Sequence, residues 1–232
     1  MGVPSRQRAV AVAAAHAPPT VADTRRAFLE GYRKPIPAMF NVVVQELLVQ
    51  QHFMRYSVAY KYNEVYALGF VSVFDQVLDG LDPAERAAMF DAYVTALGED
   101  PATYRADAER LAADAAALGG AAALAPDAAG GAAQRALAAA AEGAAYNKFF
   151  AIGLFRLLEL VGAKDPAALE ALVKAVNVKP ESVNKDLLMY KGILSKLSAA
   201  KDLMKEFLER ERRKQGERDA AKAAKAAAPV QA

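Results

Sequence analysis

The chain contains no cysteine, which removes disulfides, thiolate metal sites and thiol nucleophiles in one step. Tryptophan is absent as well, and two histidines are too few to build a histidine-rich metal centre. No phosphate loop of the Gly-x-x-x-x-Gly-Lys type occurs, nor a Gly-x-Ser-x-Gly elbow, nor a dinucleotide fingerprint. The most apolar long stretch, 144–163, holds Lys148, Arg156 and Glu159, whereas a membrane span needs about 20 mostly apolar residues. One-signed charge is scarce too: the formal net charge is +2, with no strongly basic face of the kind a nucleic-acid binder carries. The excess sits at the ends, with Arg6 and Arg8 near the start and nine basic against six acidic residues over 201–232.

What remains is helical period. Phe40, Val43, Val44, Leu47, Leu48 and Met54 recur at spacings of three and four after the extended corner Pro35-Ile36-Pro37. After a break near Ser57–Asn63 the pattern resumes with Val65, Leu68, Val71 and Leu78, widened by Phe70, Val73 and Phe74. These two stretches predict apolar core helices lying back to back, buried on more than one side. Before them, Thr20 and Asp23 have capping-box spacing, which predicts a short helix to about Glu30 with Phe28 and Leu29 inward.

Beyond Leu78 one punctuation recurs: Gly80-Leu81-Asp82-Pro83, Gly98-Glu99-Asp100-Pro101 and Gly162-Ala163-Lys164-Asp165-Pro166. A left-handed glycine closes a helix, aspartate caps the next, and proline occupies its first position at no hydrogen-bond cost. Helices are thus expected over about 83–97, 101–118, 146–160 and 166–176. Gly153, in the middle of an otherwise apolar helix, marks close approach by a partner helix. Gly69→Leu is expected to destabilise strongly if two helices touch at Gly69. Gly119–Gly131, nearly all Ala and Gly, reads as a flexible linker and internal boundary. The run from Ala132 has helical propensity but few side chains to bury.

From Pro180 the longest helix begins, expected to run at least to Arg213 with an outer limit at Lys225, and it carries Leu187, Tyr190, Leu194, Leu197, Lys201, Met204 and Leu208 at heptad spacing. From Lys201 onward it is charged on nearly every face, so it is expected to project into solvent or meet a partner. The fold class is therefore all-α: a multi-helix bundle with a long, charged, partly protruding C-terminal helix. Residues 1–19 are expected to be disordered, 20–218 a single helical domain with its linker at 119–131, and 219–232 a disordered tail. The acid-free start of the chain fits an organelle transit peptide or its stub, and equally an ordinary loose terminus.

Candidate chemistry is thin. His52 lies six residues after Glu46, so a helix turns the two apart, and no Glu-x-x-His pair for a di-iron site exists. His52 is expected at the core edge or partly exposed. Glu64 and Asp75 can share a helix face, where a structural ion pair is the ordinary role for carboxylates; Asp75 among apolar neighbours needs a partner if buried. Tyr56, Tyr60, Tyr62 and Tyr66 gather at the joint of the core helices and read as a packed hinge with hydroxyls on backbone, the rival reading being a ligand cage. No catalytic residue, metal ligand or cofactor site is expected.

Several stretches match a known pattern. Pro19–Phe28, Pro35-Ile36, Gln45–Val49, Tyr66–Val71, Glu99-Asp100-Pro101 with Tyr104-Arg105, and Phe149–Glu159 closely resemble the thylakoid formation protein family of cyanobacteria and plastids. The tail Glu209–Arg218 resembles the plastid branch. The likeness covers about 18–118 and 146–218; the 119–145 segment and the last dozen residues depart from it. It implies a non-enzymatic factor for photosystem II assembly and repair, located in the chloroplast stroma, peripherally at the thylakoid membrane. The expected partners are the thylakoid FtsH protease and the photosystem II repair machinery, not nucleic acid. The residues expected to meet a partner are Lys201, Lys205, Arg210, Arg212, Arg213 and Lys214, with Asp75 as a structural polar group. The resemblance also favours the transit-peptide reading of residues 1–19. Two other readings compete with this: a membrane-organising protein that binds anionic thylakoid lipids through its basic ends, and an enzyme or metal site inside the bundle.

Overall fold

Short polar side chains decide where the helices start. Thr20 and Asp23 form the expected reciprocal box: the Asp23 amide donates to Thr20 Oγ1 at 3.2 Å and the Thr20 amide to Asp23 Oδ2 at 3.0 Å. Asp82, Asp100 and Asp165 each accept from amides of the next turn at 2.9–3.3 Å, with proline at the first helical position. Gly98 and Gly162 take φ of +72° and +74°, as a left-handed helix stop requires. Gly80 does not adopt positive φ, so the first joint turns without that device.

The computed structural model describes residues 18–227 apart from 144 and 164, with side chains as far as residue 220. The expectations for residues 1–17 and 228–232 lie outside the described residues. Nine α-helices occur among those described: α1 (Val21–Gly31), α2 (Ala38–Arg55), α3 (Glu64–Val77), α4 (Pro83–Ala96), α5 (Pro101–Ala117), α6 (Ala132–Ala141), α7 (Lys148–Leu160), α8 (Pro166–Ala175) and α9 (Pro180–Ala227). No strand accompanies them, and the fold is all-α. The chain divides into two compact units, Met1–Leu187 and Leu188–Ala232, so the division falls within α9 rather than at 119–131. α9 runs to Ala227, past residue 219 where the disordered tail was expected to begin and close to the outer limit at Lys225; its Ala- and Lys-rich sequence has high helix propensity.

In the first unit the core is built on α3, and the partner that covers it is α7 rather than α2. α3 packs most extensively on α7 and α5, while α1 packs on α2 and α4. The back-to-back pairing of α2 with α3 is thus not how the bundle closes. On α2 only Phe40, Val44, Leu48, Gln51 and His52 are buried, a single stripe, and Val42 and Phe53 face outward. On α3 every residue from Val65 to Val71 is buried, as is the 149–154 run of α7. α1 turns Phe28 inward but leaves Leu29 half exposed.

The two central helices repeat one local sequence. Asn63-Glu64-Val65-Tyr66-Ala67-Leu68-Gly69 and Asn147-Lys148-Phe149-Phe150-Ala151-Ile152-Gly153 share the Asn, Ala and Gly positions. Each asparagine caps its helix through Oδ1, accepting from the Tyr66 amide at 2.7 Å and the Phe150 amide at 2.9 Å. The glycines meet reciprocally. A Cβ on Gly69 would overlap the Phe149 carbonyl and lie 2.6 Å from the Gly153 nitrogen; one on Gly153 would overlap the Val65 carbonyl. The helices pass each other in opposite senses, backbone to backbone, about a local near-dyad. This is the close approach that Gly153 signals in the sequence. Each glycine weakens its own helix by about 1 kcal/mol relative to alanine, and the dispersion contact of two backbones offsets that cost.

The Ala/Gly stretch holds definite structure where a flexible linker was expected. A 3-10 turn at Ala121–Leu124 buries Leu124 completely. Gln134 then staples the segment, donating from Nε2 to the Ala123 carbonyl at 2.9 Å and accepting from the Gly131 amide at 2.8 Å. Asp114 Oδ2 accepts from the Ala133 amide at 2.9 Å and so caps α6 from a neighbouring helix. α6 buries Ala132, Ala133, Ala136, Leu137 and Ala140. Small side chains bury little area each but let helices approach closely, which is how this run packs.

Candidate functional site

Three polar groupings stand out among the described residues. The first is Asp75, midway along α3. Its two oxygens accept from Arg105 Nη1 and Nη2 on α5 at 2.6 and 3.0 Å, and Arg86 Nε on α4 lies 3.7 Å away. The Arg105 guanidinium also sits 4.0 Å over the Phe90 ring. A planar, bidentate fork that also stacks ties three helices at one point, and a lysine could not replace it.

The second is the tyrosine ladder. Tyr66 donates to Gln51 Oε1 at 2.6 Å, Tyr104 donates to Tyr66 at 3.4 Å, and the Tyr60 and Tyr104 hydroxyls are 3.3 Å apart. Only Tyr56 reaches backbone as the hinge reading expected, at the Leu97 carbonyl, 3.1 Å. The others pair with side chains because the helices bring Gln51, Tyr104 and Asp107 to them, a placement that local sequence does not encode. Burial raises the pKa of Tyr60, Tyr62, Tyr66 and Tyr104 in each case, so the ladder is one of neutral phenols.

The third is a crevice of about 530 Å³ beside it, lined by Tyr62, Asn63, Glu64, Asp107, Arg110 and Arg135. Tyr62 donates to Asp107 Oδ2 at 2.6 Å. Arg110 Nη2 bridges Asp107 Oδ1 and Glu64 Oε1, both at 2.7 Å. Glu64 and Asp75 are therefore each matched to an arginine of α5, five residues apart, and they do not converge on one point. Asp107 and Arg110 were not singled out in the sequence, although their i, i+3 spacing is that of neighbours on a helix. Among the described residues, no three or more His, Cys, Asp or Glu side chains are placed to hold a metal ion. Glu46 is exposed.

His52 is buried, deeper than the core edge. Its Nδ1 lies 2.8 Å from Thr24 Oγ1 on α1. Burial pushes the imidazole pKa below its ordinary 6.5, with the Asp23 carboxylate opposing weakly. The folded chain thus prefers the neutral ring, and the unfolded chain takes up the proton first. The stability this confers is complete above about pH 6.5 and lost as pH falls through the lower folded-state value. The urea midpoint is expected to fall on acidification from about pH 6.5 to 5, and His52→Leu to flatten that part of the profile, read by circular dichroism.

The basic residues of α9 expected to meet a partner belong to the second unit. Lys205, Arg210, Arg212, Arg213 and Lys214 are exposed and Lys201 is half-buried. Lys214 Nζ is 3.2 Å from Glu211 Oε1. Along the heptad, Tyr190 is buried, Leu194 and Leu197 are half-buried, and Met204 and Leu208 are exposed.

A sequence model of the family described as Thylakoid formation protein matches residues 20–219. The chain belongs to that family. It is 46% identical over 208 residues to Protein THYLAKOID FORMATION1, chloroplastic, of Oryza sativa subsp. japonica, covering 87% of this chain and 72% of the rice protein. It is 34% identical to Protein Thf1 of Nostoc punctiforme, over 90% of this chain and 96% of the cyanobacterial one. A solved structure of Psb29 matches with a TM-score of 0.75 at 29% identity, over 86% of this chain and 100% of Psb29. The family match spans the segment 119–145 as well, where the resemblance read from the sequence stops. The Gly69–Gly153 crossing, the Asp75–Arg105 fork and the tyrosine ladder all lie inside the matched range of this thylakoid formation family member.

Proposed function

We propose that this member of the thylakoid formation family is a non-enzymatic accessory factor for photosystem II biogenesis and repair. It works in the chloroplast stroma, peripherally at the thylakoid membrane, through association with the FtsH protease. The observation that carries the reading is the family match over 20–219, with plant relatives whose names include "chloroplastic". A non-catalytic role is supported by three carboxylates of the bundle: Glu64, Asp75 and Asp107 each pair with arginine, and Asp107 also accepts from a tyrosine. A protein that works by association needs a stable scaffold, and these contacts serve one. The test is a pull-down from solubilised thylakoids with the full-length chain as bait. Recovery of the protease is expected; none recovered, under conditions that keep its own subunits together, would count decisively against the association.

A further inference from the structure

The second unit exposes more large apolar side chains than a solvated helix end has use for. Met189, Ile193, Leu203, Met204, Phe207 and Leu208 are 43–67% exposed. At 100° per residue they fall within one arc of about 140°; Leu188, 72% exposed, lies about 60° outside it, and Tyr190, in line with Leu208, is buried. That is wider than the narrow seam of a two-stranded coiled coil, and it takes in Leu203 and Phe207, which the heptad leaves out. Lys196 and Arg210 run along one edge of the arc, and Lys205 and Arg212 along the other. Asp202, Glu206 and Glu209 occupy the opposite face, and Glu211 ends the stripe just beyond Leu208.

We propose that residues 189–214 form a surface helix that lies in the headgroup plane of an anionic lipid membrane. Its apolar arc enters the acyl boundary as far as Leu208; Lys196, Lys205, Arg210 and Arg212 along its edges meet headgroup phosphates; and Asp202, Glu206 and Glu209 face water. Glu211, in line with the arc, marks where the helix leaves the acyl boundary. This division of charge is what such a surface selects: cations where the helix meets the headgroups and anions furthest from them. No helix among the described residues is long and apolar enough to cross a membrane, so this one lies on it. A second copy is a poorer occupant. Pairing along the heptad would set Lys205 and Arg212, both at e positions, beside Ala200 and Phe207 at g in a parallel pair, with no acid there to answer them. The inference stands apart from the protease association, and its test uses no protease.

The probe is flotation of the full chain with phosphatidylcholine vesicles, with and without phosphatidylglycerol. Binding to the anionic vesicles only is expected. Leu203→Ser with Phe207→Ser should lower partitioning about a hundred-fold, and Lys205→Ala with Arg212→Ala about thirty-fold. All four sites are exposed, so unchanged helicity and melting verify the fold of each variant. Because the chain has no tryptophan, Phe207→Trp supplies a single reporter whose emission should shift to the blue with anionic vesicles. Glu206→Trp, on the opposite face, should not shift. Equal binding to neutral vesicles, binding untouched by the Leu203/Phe207 pair, or an unshifted Phe207→Trp would each overturn the proposal. So would a lipid-free dimer, seen by light scattering, that the same pair dissociates.

Discussion

Gly69→Leu is expected to lower the melting temperature by about 10 °C or more. The position has no room even for a Cβ, which would meet the Phe149 carbonyl and the Gly153 nitrogen, and these are backbone atoms that cannot rotate away. A larger side chain must part α3 from α7 and uncover the most extensive helix pair in the core. Overpacking a core costs about 1–3 kcal/mol where side chains can yield. Here a backbone must move, so at least about 4 kcal/mol is expected. For a chain of this length each kcal/mol is worth about 2–4 °C. Gly153→Leu should behave alike, since it meets the Val65 carbonyl from the other side. Gly119→Ala, with nothing within 4 Å of the added carbon, is the control and should leave melting unchanged. Thermal circular dichroism of the three variants decides the matter, and an unshifted Gly69→Leu would show that the crossing does not exist in solution.

Phe70→Ala is expected to cost about 4 kcal/mol and Phe70→Leu about half as much. The Phe70 ring is 1% exposed, and five other rings have centroids within 6 Å of its own: Phe74 at 5.9 Å, Phe90 at 5.8, Tyr93 at 5.5, Tyr104 at 5.9 and Phe149 at 5.5. These neighbours come from α3, α4, α5 and α7, so one truncation opens a void where four helices meet. The site cannot collapse to fill it, because the glycine crossing one residue away already fixes the distance between α3 and α7. Denaturant unfolding would show a lower midpoint with an unchanged slope; a loss below about 2 kcal/mol would mean the ring cluster is looser than its geometry.

Local signals were legible and long-range ones were not. The Thr20–Asp23 box and the three Asp-Pro joints are read within four residues, and the structure places helix starts at each. The close approach at Gly153 was also legible, since a glycine inside an apolar helix has few other uses. Its counterpart, the repeated Asn-to-Gly stretch, was missed because only three of seven positions coincide and the copies lie far apart in the chain. The pairing of α2 with α3 was a false expectation for a related reason: apolar period shows that a helix is buried, not which neighbour buries it. The Ala/Gly stretch misled because composition says nothing of Gln134 and Asp114, whose hydrogen bonds hold that segment. The partners of Asp75 and of the tyrosines were unreadable likewise, since Arg105, Gln51 and Asp107 meet them only in three dimensions.

The reciprocal crossing of α3 and α7 also has a consequence for the order in which the polypeptide is finished. A ribosome that has released everything up to residue 147 has delivered α3 but not the helix that covers it, so the Val65–Gly69 flank is left wet and sticky. Synthesis runs from the N-terminus, and half-made apolar surfaces are where nascent chains go astray. Truncation at residue 147 should therefore yield not a smaller stable bundle but an aggregating fragment.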